Sequence, residues 1–193
     1  VFQRLPETGR LADALKELYK DGADVQTGLS ASKSTLMKKT LNSYNRIVFA
    51  THGYYGNDIP NVLEPVLALS PPLESNPKFE EGFLRMTEVM GLRLNADLVA
   101  LTACQTGLGR HLSGEGTMGM GRAFQYAGAD SVLMSLWSVA ESSSVKLTES
   151  LFRGMKEGKG KGEALTKAKE EIRNQGFDHP FYWAAFVLVG ENN

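Results

Sequence analysis

Cysteine occurs once in this 193-residue sequence, at Cys104, and histidine three times, at His52, His111 and His179. A single thiol excludes an internal disulfide framework and fits a reducing compartment. Three histidines at no ligand-like spacing argue against a structural zinc site. An excess of either charge is also missing, since 21 Lys and Arg face 22 Asp and Glu for a net charge of −1. A chain that grips a nucleic-acid backbone by counterion release shows a basic excess, so direct nucleic-acid binding is not expected. No apolar run approaches the ~18–20 residues that cross a bilayer, and the N-terminus lacks the basic, apolar and small-residue segments of a signal peptide. These absences predict a soluble, cytoplasmic protein with no membrane partner. What is present is ordinary: 42% hydrophobic and 22% charged residues in the length of one large domain, which rules out a disordered tail.

Apolar spacing supplies the architecture. Leu11, Leu15, Leu18 and Tyr19 fall on one face of a helix that ends near Gly22, and a short extended stretch, ADVQT, follows. Residues 30–41 carry Ser and Thr caps with Met37 and Leu41 four apart, which predicts a short helix. Four apolar runs read as strands: RIVFAT (46–51), ADLVALTA (96–103), SVLMSLW (131–137) and YWAAFVLV (182–189). Helical patterns lie between them at Met120, Phe124 and Ala127, at Leu147, Leu151 and Met155, and at Leu165, Ala168 and Ile172. Near-continuous apolar strands alternating with helices indicate an α/β sandwich around a mostly parallel sheet. Residues 54–94 break this rhythm, because five of the seven prolines (Pro60, Pro65, Pro71, Pro72, Pro77) fall there. That stretch reads as an insertion, with VLALS a short edge strand and FLRMTEVMGLRL a short helix opened by Thr87. EGKGKGEA (157–164) reads as an exposed turn between the last two helices.

In an open parallel sheet, ligands bind outside the carboxyl ends of the strands. Two reactive side chains fall there: His52, in ATHG after the strand RIVFAT, and Cys104, in TACQTG after ADLVALTA. A Cys and a His at the same edge of neighbouring strands can form a nucleophile and its base. A lone Cys is also among the most buried residue types, and a lone His is often a hydrogen-bonded loop residue. Spacing and position alone therefore leave the catalytic and the structural readings open.

Five blocks in order go further: LPETGRLADALKEL at the start, FATHG around His52, ADLVALTACQTGLG around Cys104, SGEGTMGMGRAFQYAGADSVLMSLWSV at 113–139 and HPFYWAAFVLVG at 179–190. On these blocks the sequence resembles the CHAT family, caspase-like domains often found next to tetratricopeptide repeats, within the wider group of cysteine peptidases that includes caspases, separases and gingipains. The resemblance runs nearly the whole chain. It implies a caspase-like three-layer sandwich with helices on both faces of the sheet, and a cysteine endopeptidase acting on protein substrates. Cys104 is then the nucleophile and His52 the general acid/base of a dyad, and no metal or organic cofactor is expected. A latent regulatory or interaction domain of the same fold is the alternative, held inactive until a partner or an upstream helical-repeat domain rearranges its loops. The family also implies roles in bacterial defence or programmed death.

The chemistry asks for two donors aimed at the oxyanion of a tetrahedral intermediate. Gly53, which lets the backbone approach closely, and Cys104 offer N–H groups for that task, as the resemblance also implies. Caspase-like enzymes hold the substrate as an added strand beside the segment after the fifth strand, here residues 135–141. Ser135 and Ser138 are candidates for backbone pairing there, and Trp137 and Val139 for pocket walls, while Trp137 packing under the sheet is the alternative. The family more often shows two consecutive acidic residues just after SLWxV, where this chain has Ala140 then Glu141. Glu141 and Glu115, in SGEG, are the carboxylates considered for substrate binding.

Two glycine patterns are decoys. GEGTMG (114–119) satisfies G-x-G-x-x-G, but its first glycine lies about ten residues past the strand rather than in the strand-to-helix turn a dinucleotide needs. A mobile loop after Cys104, with Met118 and Met120 in the core, accounts for it better. GKGKGEA lacks phosphate-loop spacing. His111 and His179 read as structural or surface residues, with His179 and Pro180 marking the turn into the last strand. Finally, caspase-like sheets place their first strand between the second and third, ahead of the LADALKEL helix, where only Val1 to Pro6 remain. The 193 residues are thus expected to be one domain, the larger part of a fold cut from a longer chain, with its first strand and helical repeats on the N-terminal side.

Overall fold

The computed structural model describes residues 4–54, 59, 62–71, 79–102 and 114–193, with backbone alone at 79–80 and 114–117. In chain order the elements are helices α1 (Pro6–Tyr19) and α2 (Lys33–Met37), strands β1 (Arg46–Phe49), β2 (Gly53–Tyr54), β3 (Val66–Ala68) and β4 (Phe83–Arg85), helix α3 (Met86–Met90), strand β5 (Leu98–Leu101), helix α4 (Gly114–Tyr126), strand β6 (Ser131–Ser135), helices α5 (Glu141–Lys156) and α6 (Lys161–Asn174), and strand β7 (Phe186–Gly190).

The four apolar runs form one sheet in the order β1-β5-β6-β7. β1 and β6 both run parallel to β5, and β7 closes the far edge antiparallel to β6. Strand alternation then sorts the side chains onto two faces. Ile47, Phe49, Val99, Leu101, Val132 and Met134 meet Val89 of α3 and Met120, Ala123 and Phe124 of α4. Val48, Leu98, Ala100 and Leu133 meet Leu15 of α1, Leu147, Leu151 and Phe152 of α5, and Leu165 and Ala168 of α6. The result is the α/β architecture expected, a mostly parallel sheet between two helical layers. β5 and β6 are buried at every residue, whereas in β1 only Phe49 is buried. β1 pairs only with β5 among the described residues, so it is an edge. The turn from α4 into β6 needs glycine at Gly128, which has φ +111° and would place a Cβ 2.4 Å from the Leu94 carbonyl oxygen.

Residues 54–94 are more ordered than their prolines imply. VLALS does not form an edge strand: β3 is the centre of a second sheet, ordered β2-β3-β4, because Leu67 is flanked by Gly53 on one side and Leu84 on the other. FLRMTEVMGLRL is not one helix either. Residues 83–85 satisfy their backbone against β3, and the helix starts at Met86 rather than at Thr87. The Glu88 carboxylate marks that start by accepting the Arg85 N–H at 2.9 Å.

The helical run of α1 and the 3-10 turn after it ends at Gly22, and Ala23 and Thr27 are extended, as expected. Three further expectations are corrected. α2 ends at Met37, and Leu41 opens a separate 3-10 turn, so Met37 is 46% exposed while Leu41 is buried. GEGTMG is not a loop but the opening of α4. Lys161, expected in an exposed turn, is 2% exposed because its ammonium pairs with the Asp97 carboxylate ahead of β5.

The connection from α1 to β1 is clasped by Asp24. Its carboxylate accepts hydrogen bonds from Lys39 Nζ and the Tyr44 hydroxyl, each at 2.5 Å, and from Gln26 Nε2 at 2.7 Å. These donors hold its pKa at about 2, below the usual 3.8. A depressed carboxylate pKa contributes stability above the unfolded value and loses it as pH falls through the folded one. Asp24→Asn is therefore expected to flatten the acid limb of the stability profile between about pH 4 and pH 2, by under ~1 kcal/mol because the clasp is open to water. Urea midpoints measured across that range check it; identical slopes in parent and variant would contradict it.

Candidate active site

The register of the central sheet places the strand ends that precede the candidate residues. Phe49 and Leu101 are the last paired residues of β1 and β5, and they lie abreast. The ladder continues one step further, with the Thr102 N–H donating to the Phe49 carbonyl at 3.1 Å. His52 follows Phe49 by three residues, and Cys104 follows Leu101 by three. Both chains thus leave the same carboxyl edge side by side, at equal chain distance from the candidate pair. Cys104 itself, like His111, lies outside the described residues.

His52 is described, and it is not in a free loop. It is 7% exposed, its carbonyl accepts the Ala68 N–H at 2.8 Å, and its ring stands 5.9 Å from the Tyr54 ring. Gly53 follows it at once as the first residue of β2, buried and opposite Leu67. The small sheet therefore fixes the backbone on both sides of the imidazole. Thr102, two residues before Cys104, is 2% exposed and its hydroxyl has no partner among the described residues.

The candidate substrate segment begins on the neighbouring strand. Ser135 ends β6, is 4% exposed and lies opposite Phe186 of β7. The Leu136 N–H donates to the Ala185 carbonyl at 2.9 Å. Trp137 is half-buried: its ring packs on the core beneath α5 and its indole N–H donates to the Phe181 carbonyl at 3.0 Å. Ser138 is half-buried. Val139 is a core residue, 7% exposed, so its side chain does not line an open surface. Glu141 points elsewhere, to α1: its Oε1 accepts the N–H groups of Glu7 at 2.7 Å and Thr8 at 3.1 Å. The Glu115 side chain lies outside the described residues.

A polar cleft of about 280 Å³, lined by Asn42, Ser43, Asn45, Asn95, Asp97 and Asp130, sits at the opposite, amino edge of the sheet. It faces away from His52. Among the described residues no cluster of His, Cys, Asp and Glu could hold a metal ion, and no helix is long and apolar enough to cross a membrane.

A family model described as "CHAT domain" matches residues 1–191. The chain belongs to the CHAT domain family. The match covers both edges of the sheet and every candidate residue named above. The chain is also 33% identical over 120 residues to Tetratricopeptide repeat protein 28 of Mus musculus and 31% identical over 117 residues to that of Homo sapiens. Each alignment covers 60% of this chain, and the chain spans about 5% of the length of each relative. A CHAT domain is thus similar here to a small portion of long proteins named for their helical repeats.

Two elements of this CHAT domain escaped sequence reasoning. The sheet β2-β3-β4 carries only two or three residues per strand, too short for alternation to register. The capping of α1 by Glu141 joins residues 134 positions apart, and its one local sign was an α1 start without a capping side chain.

Proposed function

We propose that this CHAT domain is a cysteine endopeptidase that cleaves protein substrates with Cys104 as nucleophile and His52 as general acid/base. The observation that carries the reading is the register of β1 and β5, whose abreast ends each precede one member of the pair by three residues. A free thiol has a pKa of about 8.5, so a neighbouring imidazole that takes its proton raises the reactive fraction at neutral pH. The Cys104 sulfur attacks the peptide carbonyl, and the N–H groups of Gly53 and Cys104 stabilise the oxyanion. As the C–N bond breaks, the His52 imidazolium gives its proton to the leaving amine. Water, deprotonated by His52, then hydrolyses the thioester and frees the thiol. The cycle needs neither metal nor organic cofactor. The substrate lies extended beside residues 135–140, with backbone bonds for affinity and the Trp137 ring as one wall.

His52 is buried, which favours a domain that is latent until its loops are rearranged. The activator in this reading is a helical-repeat region of the same protein or a partner of that kind, which the tetratricopeptide-repeat names of the relatives support.

A thiol-reactive peptide probe tests the proposal. It should label the parent at Cys104 when the repeat region or partner is present, and the Cys104→Ala variant not at all. An unlabelled Cys104 under every activating condition, with Cys104→Ala retaining its cellular role, would leave the interaction-domain alternative.

A further inference from the structure

Helix α1 begins without a cap of its own. Its N-cap is Leu5, which offers no side-chain acceptor, and Pro6 has no N–H to satisfy, so the first-turn donors are Glu7 and Thr8, the latter also reaching the Leu5 carbonyl at 3.3 Å. Both donate to one oxygen of Glu141, at 2.7 and 3.1 Å. Glu141 is itself the first residue of α5, whose N-cap, Ala140, also makes no side-chain cap. One carboxylate thus lies at the positive ends of two helices, and it is stabilised by both.

Ser135–Ala140 runs straight into this carboxylate. Its incoming end is held by the β7 pairing of Ser135, by the Leu136 N–H on Ala185 and by the Trp137 indole on Phe181. Its outgoing end is fixed where α5 starts, and there the Glu141 clasp sets α5 against α1. We infer that Glu141 is a positioning residue: by capping α1 it holds residues 136–140 in the line a substrate strand would pair with. The substrate role of that line rests on the peptidase reading above; the clasp does not.

The test compares Glu141→Ala and Glu141→Gln with Tyr19→Phe in the full chain. Tyr19 joins the far end of α1 to α5, its hydroxyl donating to the Phe152 carbonyl at 3.2 Å, so it controls for loss of α1 packing alone. Amide exchange across residues 136–140 should quicken about fivefold in Glu141→Ala, less in Glu141→Gln, which keeps the acceptor oxygen, and under about twofold in Tyr19→Phe. With a peptide substrate, Glu141→Ala should raise KM about fivefold with kcat within about twofold, and Glu141→Gln should rescue part of it. Equal exchange in Glu141→Ala and Tyr19→Phe, or unchanged exchange in Glu141→Ala, overturns the inference. So does an unchanged KM in a chain that turns over. If the parent cleaves nothing even with the repeat region or partner present, the peptidase reading fails, and exchange alone decides the clasp.

Discussion

Replacing His52 with alanine is expected to cut peptide turnover by about 10²–10⁴-fold and also to lower stability by about 1–2 kcal/mol. The first effect follows from the proposed dyad chemistry, in which the Cys104 proton would lose its acceptor and the leaving amine its donor. The second departs from what strand-end position implies, namely a loop side chain whose loss leaves the fold untouched. The His52 side chain is 7% exposed and stands beside the Tyr54 ring, so truncation opens a hole against the small sheet. Turnover must therefore be divided by the folded fraction from a urea titration before the two losses are compared. Residual kcat/KM within tenfold of the parent, after that correction, would mean that His52 supports the β2-β3 contact and does no chemistry. Cys104→Ala is the companion: it should match His52→Ala in lost turnover, because members of one catalytic unit are not additive.

The fold was legible wherever burial on both faces of the sheet left a continuous apolar run. RIVF, LVAL and SVLMS each announce a strand, and their separation by helical patterns announces the crossovers that make them parallel. The antiparallel sense of β7 was not legible, because FVLV reads alike in either direction. Prolines misdirected the reading of residues 54–94: none falls within β3 or β4, yet their density hid two strands that pair with each other. At the site, strand-end position marked His52 and Cys104 as candidates and left their role open. It could not show that Val139 turns inward under α5, or that Glu141 spends its carboxylate on α1, since both depend on elements remote in sequence. Lys161 illustrates the same limit, as nothing near it in the chain announces its pairing with Asp97.

The largest stability loss is expected at Phe124. Its side chain is fully buried, in a core that includes Met120, Val99 and Met134, and its ring lies 5.3 Å from that of Phe49. Phe124→Ala should cost about 3–5 kcal/mol, the range for removing a buried aromatic ring, against a total of roughly 5–15 kcal/mol for a domain. The alanine variant should then be largely unfolded at moderate urea, so Phe124→Leu serves as the measurable form, with a smaller downward shift of the midpoint. A loss below about 1 kcal/mol for the alanine variant would mean that α4 is not packed as described. The consequence reaches the site because of where Phe49 sits. It ends β1, the edge strand paired only with β5 among the described residues, and His52 follows three residues later. On the side without a second strand, that strand end is held by packing such as the ring contact with Phe124 of α4. Phe124→Leu should accordingly lower turnover by more than its folded fraction accounts for. Leu147→Ala, on the opposite face against α5, should lower turnover only in proportion to folding.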